Sequence, residues 1–204
     1  MESGDIRYLS FKTENEAVSW ANKYFSDWLP GLIDKDIRSE NNIESAIKNY
    51  CGSSHVPVNR MLRSDRCNNI EYKEYLEGID ILKNEINKYE LQDNILVYRF
   101  VTSNFLKSLC NSKIPRKNQM ITDKGFMSTS LLYSSMNNFR QHRKCDCVLA
   151  IRLPKGTKGV YTGFLSHSLK EFEFILAPNT TIKILKKHLL KNRDGLIEFE
   201  CILS

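Results

Sequence analysis

The apolar residues of this chain change their spacing once, near residue 92. Before that point they recur at helical intervals. After it they gather in short runs bounded by turn residues. Helices followed by strands imply an α+β architecture with an antiparallel or mixed sheet. In the first half, Thr13 and Glu16 have capping-box spacing, and Ala17, Trp20, Tyr24 and Trp28 follow on one helical face until Pro30-Gly31. Ile43, Ile47 and Tyr50 predict a second helix with Gly52 just past its end. Pro57 suits the first turn of a third, over Val58 to Ser64. Leu76, Ile79, Leu82, Ile86 and Tyr89 form the stripe of a fourth, over Ile70 to Tyr89. In the second half, strands are predicted over Ile95–Val101, Gly125–Leu132, Cys147–Leu153, Phe172–Leu176, Thr180–Leu185 and Leu196–Leu203. Asp194-Gly195 is a hairpin signal between the last two.

A chain of 204 residues makes one domain, expected to be mainly helical over 1–92 and mainly β over 93–204. A domain of this size buries roughly 70% of its unfolded surface, so its core needs no staple. The six cysteines contain no CxxC pair and are expected as free thiols. His142, Cys145 and Cys147 lack a fourth ligand at a familiar spacing, so no metal is expected. No apolar run approaches the ~20 residues of a membrane span, and no signal peptide is visible. The formal charge of +6 is spread along the chain, without the clustered cations and interleaved aromatics that nucleic acid would need.

Three features carry chemistry. Arg99 is a charge within the strand Ile95–Val101. A buried charge is costly unless paired, so Arg99 reads either as a structural ion pair or as a bidentate anchor for a phosphate or carboxylate. Ser128, Thr129 and Ser130 are consecutive hydroxyls in a strand, Ser128 and Ser130 on one face. Glu171 and Glu173 are two apart, which in a regular strand places both on one face, ~6.5 Å apart along the backbone. Like charges at that separation repel, so the pair reads either as a solvated edge or as two carboxylates dividing two jobs.

In combination, an arginine in a strand, then Ser-Thr-Ser, then Glu-x-Glu resembles the signature of mono-ADP-ribosyltransferases, above all the C3-like and binary-toxin enzymatic domains and bacterial effector transferases. Asn59 and Arg63, four apart on a helix, also match the C3-like pattern, and the spacing puts both on one face. The resemblance implies helices followed by a two-sheet β core, and NAD as substrate without a metal. It implies transfer of ADP-ribose to a protein side chain with release of nicotinamide. Glu171, two before Glu173, implies arginine as the acceptor. Arg99 and Phe100 would hold the nicotinamide end and the diphosphate. Asn59 and Arg63 would bind the adenylate side or the diphosphate. Ser128 would hydrogen-bond Glu173, while Thr129 and Ser130 shape the pocket floor. Phe139 would cover the nicotinamide, with Arg143 (or Arg140) on a phosphate. Glu173 would stabilise the oxocarbenium and Glu171 would deprotonate the acceptor.

The same resemblance implies a monomeric toxin or effector, secreted or injected into a target cell to modify a host protein. This chain departs from the family in two places. Phe100 stands where many relatives have glycine, arginine or tryptophan. Ser168 stands where C3-like and actin-directed relatives have an aromatic, with Phe164 or His167 as possible substitutes. Other classes compatible with the residues are an NAD glycohydrolase, a glycoside hydrolase and a non-catalytic basic binding module. A glycoside hydrolase explains the two glutamates but leaves Arg99, Ser-Thr-Ser and the Asn59–Arg63 helix without roles.

Overall fold

The computed structural model describes residues 6–28, 43–64, 73–111, 113–135, 145–165, 171–190 and 196–204. Helix α1 (Glu14–Phe25) starts at the expected capping box. Thr13 Oγ1 accepts the Glu16 amide at 3.2 Å, and the Glu16 carboxylate accepts the Thr13 amide at 3.3 Å. The box satisfies amides that otherwise lack partners at a helix start, and Ala17, Trp20, Ala21 and Phe25 turn inward. Helix α2 (Ile43–Asn49) runs through a π-helical turn, Tyr50–Ser54, into α3 (His55–Ser64). Gly52, expected at a helix end, is the kink within that turn, at φ −86° and ψ −111°. Helix α4 (Lys73–Lys88) follows. The expected start at Ile70 and the Pro30-Gly31 and Asp194-Gly195 turns lie outside the described residues.

The β half comprises β1 (Ile95–Val101), helix α5 (Ser103–Leu109), β2 (Met120–Asp123), β3 (Met127–Ser130), β4 (Cys147–Leu153), β5 (Val160–Tyr161), β6 (Glu173–Leu176), β7 (Thr180–Leu190) and β8 (Leu196–Leu203). The sequence does not announce β2 and β5, because four and two residues are too short for alternation to register. Strand β7 runs five residues past its expected end at Leu185, through a bulge between Ile184 and Lys186. The bulge shifts the in–out parity midway, which hides the strand from a period-2 reading.

The strand order is β2-β7-β8-β4-β1-β3-β6-β5. Among the described strands only β4 and β8 pair in parallel. The expected two-sheet core is instead one hydrogen-bonded eight-stranded sheet, with a seam in it. Strand β1 pairs with β4 along its whole length but with β3 only at Tyr98–Ser130. Beyond that single pair β1 and β3 diverge. The cavity described below is lined by successive residues of both strands, Tyr98 to Val101 and Ser128 to Ser130. In a flat sheet successive side chains point to opposite faces and could not share one cavity. The cleft therefore opens at the seam.

Two large apolar layers, with a smaller cluster of Tyr98, Val148, Ala150 and Leu196, hold this arrangement. One packs α1 against Ile95, Val97, Leu149, Ile151, Phe174, Leu176 and Phe199. The other packs α2, α3 and α4 on Phe126, Val160 and Ile175. Arg99 lies in the period-2 row of Ile95, Val97 and Val101, so its strand drives it toward buried surface.

Candidate active site

Arg99, Ser128, Thr129, Ser130, Glu171, Glu173, Phe100, Asn59 and Arg63 all line one cleft of about 660 Å³. Phe139 and Arg143 lie outside the described residues, as do Arg140, His167 and Ser168. Phe164 packs edge-on against Tyr161, with ring centroids 4.9 Å apart, beside the α1 core.

The deepest charge is a residue that the sequence did not single out. The Asp123 side chain is 1% exposed at the end of β2. It receives Arg63 through two bonds, Nε to Oδ1 at 2.8 Å and Nη2 to Oδ2 at 2.9 Å. Arg99 Nη2 reaches Oδ2 at 3.0 Å, and the Gly125 amide donates to Oδ1 at 2.9 Å. Burial pushes the Asp123 carboxyl up. The Arg63 hydrogen bond, the charges of Arg99 and Arg63 and the Gly125 amide outweigh it, leaving the group below the usual carboxylate range. Burial also lowers Arg99, partly offset by Asp123. Two guanidiniums around one carboxylate leave a net positive charge in a low-dielectric cleft, which favours an anion. The Phe105 ring of α5 supports both, its centroid 4.9 Å from Arg63 Cζ and 5.3 Å from Arg99 Cζ.

Asn59 is buried behind this pair. Its Oδ1 accepts the Phe126 amide at 2.8 Å, and its Nδ2 donates to the Tyr50 hydroxyl at 3.0 Å. The helical spacing that aligns Asn59 with Arg63 therefore fastens α3 to the turn between β2 and β3. Gly125 makes the fit possible, because a Cβ there would lie 2.6 Å from Asn59 Oδ1.

The Ser-Thr-Ser strand acts largely on the backbone that carries the glutamates. Thr129 Oγ1 donates to the Phe174 carbonyl at 2.7 Å, and Ser130 Oγ to the Glu171 carbonyl at 2.8 Å. Ser130 also pairs with Ser135, Oγ to Oγ, at 2.7 Å. The Glu173 carboxylate accepts from Thr162 Oγ1 at 2.9 Å, with Cys51 beside it. Ser128, expected on Glu173, has its hydroxyl against the Tyr50 phenol. Burial, with the Glu173 charge adding to it, raises both Tyr50 and Cys51, so both stay protonated beside Glu173.

The two glutamates do not share a regular strand. Strand β6 begins at Glu173, and Phe172 before it is left-handed at φ +46°. An aromatic residue there is strained. Burial of its ring and the bond from the Leu131 amide to its carbonyl (3.0 Å) hold it. Both carboxylates still line the cleft. Among the described residues no group of three His, Cys, Asp or Glu side chains is placed to hold a metal, and the five described cysteines are free thiols.

A mixed sheet with a seam, apolar layers of helices packed on it and arginines and glutamates lining one cleft is a fold shared with solved ADP-ribosyltransferase toxins. Plx2a, an ADP-ribosyltransferase toxin from Paenibacillus larvae, superposes with a TM-score of 0.78 at 19% identity, over 96% of this chain and 99% of its own. C3stau2 from S. aureus, solved with NAD, gives 0.75 at 21% identity over 97% and 99%. BECa, from a binary enterotoxin of C. perfringens and solved with NADH, gives 0.76 at 19% identity over 98% and 50%. Among curated proteins, the NAD(+)–arginine ADP-ribosyltransferase EFV of Enterococcus faecalis is 29% identical over 155 residues. That match takes in 74% of this chain but spans only 29% of the relative's length. The model of the ADP-ribosyltransferase exoenzyme family matches residues 17–200. The chain belongs to that family.

Proposed function

We propose that this domain transfers ADP-ribose from NAD to an arginine side chain of a host protein, as a bacterial toxin or effector that works in the target cell. One observation carries the reading: Arg63, Arg99, Glu171 and Glu173 line a single cleft. The arginines bind the diphosphate. Glu173, oriented by Thr162, faces the nicotinamide ribose. The bond between ribose C1′ and nicotinamide nitrogen breaks, its electron pair leaves with nicotinamide, and positive charge develops on the sugar. A carboxylate ~4 Å away stabilises that charge by about 4 kcal/mol at an effective dielectric near 20. This is roughly three decades of rate. The acceptor guanidine nitrogen then bonds to C1′ and gives its proton to Glu171.

The likeness to the NAD(+)–arginine ADP-ribosyltransferase EFV supports this acceptor, and so does Glu171 itself. The test is NAD turnover and labelling of an arginine-containing protein by the purified domain. Glu173→Gln is expected to lower nicotinamide release about a thousandfold with little change in NAD affinity. Glu171→Gln is expected to abolish transfer to protein while sparing hydrolysis of NAD. Equal loss of both activities in Glu171→Gln would overturn its role as the base. Hydrolysis without labelling of any protein would leave an NAD glycohydrolase.

A further inference from the structure

Five cations of the chain line one place in the fold. The loop before β2 carries Lys113, Ile114, Pro115, Arg116 and Lys117. With Lys107 of α5 and Lys187 of β7 it lines an open concavity of about 670 Å³. Among the described residues no acidic side chain contributes to the lining. Among the described residues, none of these five cations is paired with a carboxylate, whereas Lys48, Lys83, Lys88, Arg63, Arg99 and Arg152 are. Two exposed apolar side chains accompany these cations, Ile114 in the lining and Leu189 beside it on β7. Ile114 is 38% exposed within the basic loop. Leu189, two residues beyond Lys187 on the same side of β7, is 62% exposed.

A single exposed apolar residue is ordinary on a protein surface. Protruding aliphatic residues set among unpaired cations are the composition that meets an anionic bilayer, where headgroups take the charges and the acyl boundary takes the apolar tips. Among the described residues no aromatic lines the concavity, which argues against the stacking platform that single-stranded nucleic acid uses. We propose that this face docks the domain on an anionic phospholipid surface. The face is joined to the cleft through two elements. Helix α5 presents Phe105 to the cleft and Lys107 to the concavity, and β2 leads from the basic loop to Asp123. Docking there places the enzyme beside proteins held at the same membrane. The inference does not depend on which residue the cleft modifies.

The test is flotation of the full chain with vesicles of phosphatidylcholine alone or with ~30% phosphatidylserine. Binding is expected to the anionic vesicles only, and it is expected to be lost as salt rises to ~0.5 M. The triple variant K113E/R116E/K117E is expected to bind about a hundredfold more weakly, the factor to which about 1 kcal/mol per cation converts. Its melting temperature and NAD hydrolysis are expected to match those of the unmodified chain, because none of the three residues lines the cleft. Ile114→Ser is expected to weaken vesicle binding several-fold with the same two controls unchanged. Equal flotation with both vesicle types, no flotation with either, or equal binding by the triple variant each overturns the proposal. So does capture by an oligonucleotide or an acidic peptide without capture by vesicles. Vesicle binding by a chain that does not hydrolyse NAD would overturn the reading of the cleft and leave this one standing.

Discussion

Asp123 and Thr162 organise the cleft without having the residue types that draw attention in a sequence. Asp123 holds Arg63 and Arg99 at one point, and a buried ion pair that loses one partner costs about 3–5 kcal/mol. Asp123→Asn is therefore expected to lower stability by about that amount at pH 7, read from urea unfolding. The folded pKa lies below the ordinary value of 3.8, so the carboxylate contributes fully above that value. The contribution disappears as pH falls through the folded pKa. The gap between the unmodified chain and Asp123→Asn is thus expected to narrow below pH ~3.9, and a gap that does not change with pH would refute the assignment. Thr162 gives Glu173 a hydrogen bond at 2.9 Å. A bond to a charged group is worth about 1.5–3 kcal/mol, so Thr162→Val is expected to lower kcat about tenfold to a hundredfold with KM nearly unchanged. An effect on KM alone would place Thr162 outside the chemistry.

At the scale of elements, the cleft depends on how closely α3 approaches the turn between β2 and β3. Asn59 and Gly125 set that approach, because the Asn59 amide takes the space a side chain at position 125 would need. Gly125→Ala is expected to destabilise by about 1–3 kcal/mol through overpacking. It should also weaken NAD binding, since Arg63 Nη2 lies 3.1 Å from the new Cβ position. Wild-type NAD affinity in a fully folded Gly125→Ala protein would show that the approach is not tight. The seam between β1 and β3 works at the same scale. One pair, Tyr98–Ser130, joins the half-sheets, and residues of both strands line the cleft.

Across the whole molecule the half-sheets share one core. Phe174 of β6 packs edge-on at 6.5 Å from Trp20 and 6.1 Å from Phe25 of α1, while Val97, Leu149 and Phe199 in the other half belong to the same cluster. Phe174→Ala is expected to cost about 3–5 kcal/mol. For a domain of this length that lowers the melting temperature by about 10 °C. A shift under about 3 °C would mean that the halves are not stabilised through this ring. Electrostatics at this scale also differ from the linear view. Lys187 is far along the chain from Lys107 and Arg116 yet lines one concavity with them.

The order of helices and strands, the capping box of α1 and nine of the residues that line the cleft were legible in the sequence. Each depends on local periodicity or on short motifs whose chemistry is intrinsic to the side chains. The pairing of Asp123 with two arginines, the left-handed Phe172 that breaks the Glu171–Glu173 alternation and Thr162 as partner of Glu173 were not legible. Nor was the gathering of distant lysines. These are decided by strand register and by how the sheet parts at its seam, and a one-dimensional pattern carries no information about either until distant segments are packed together.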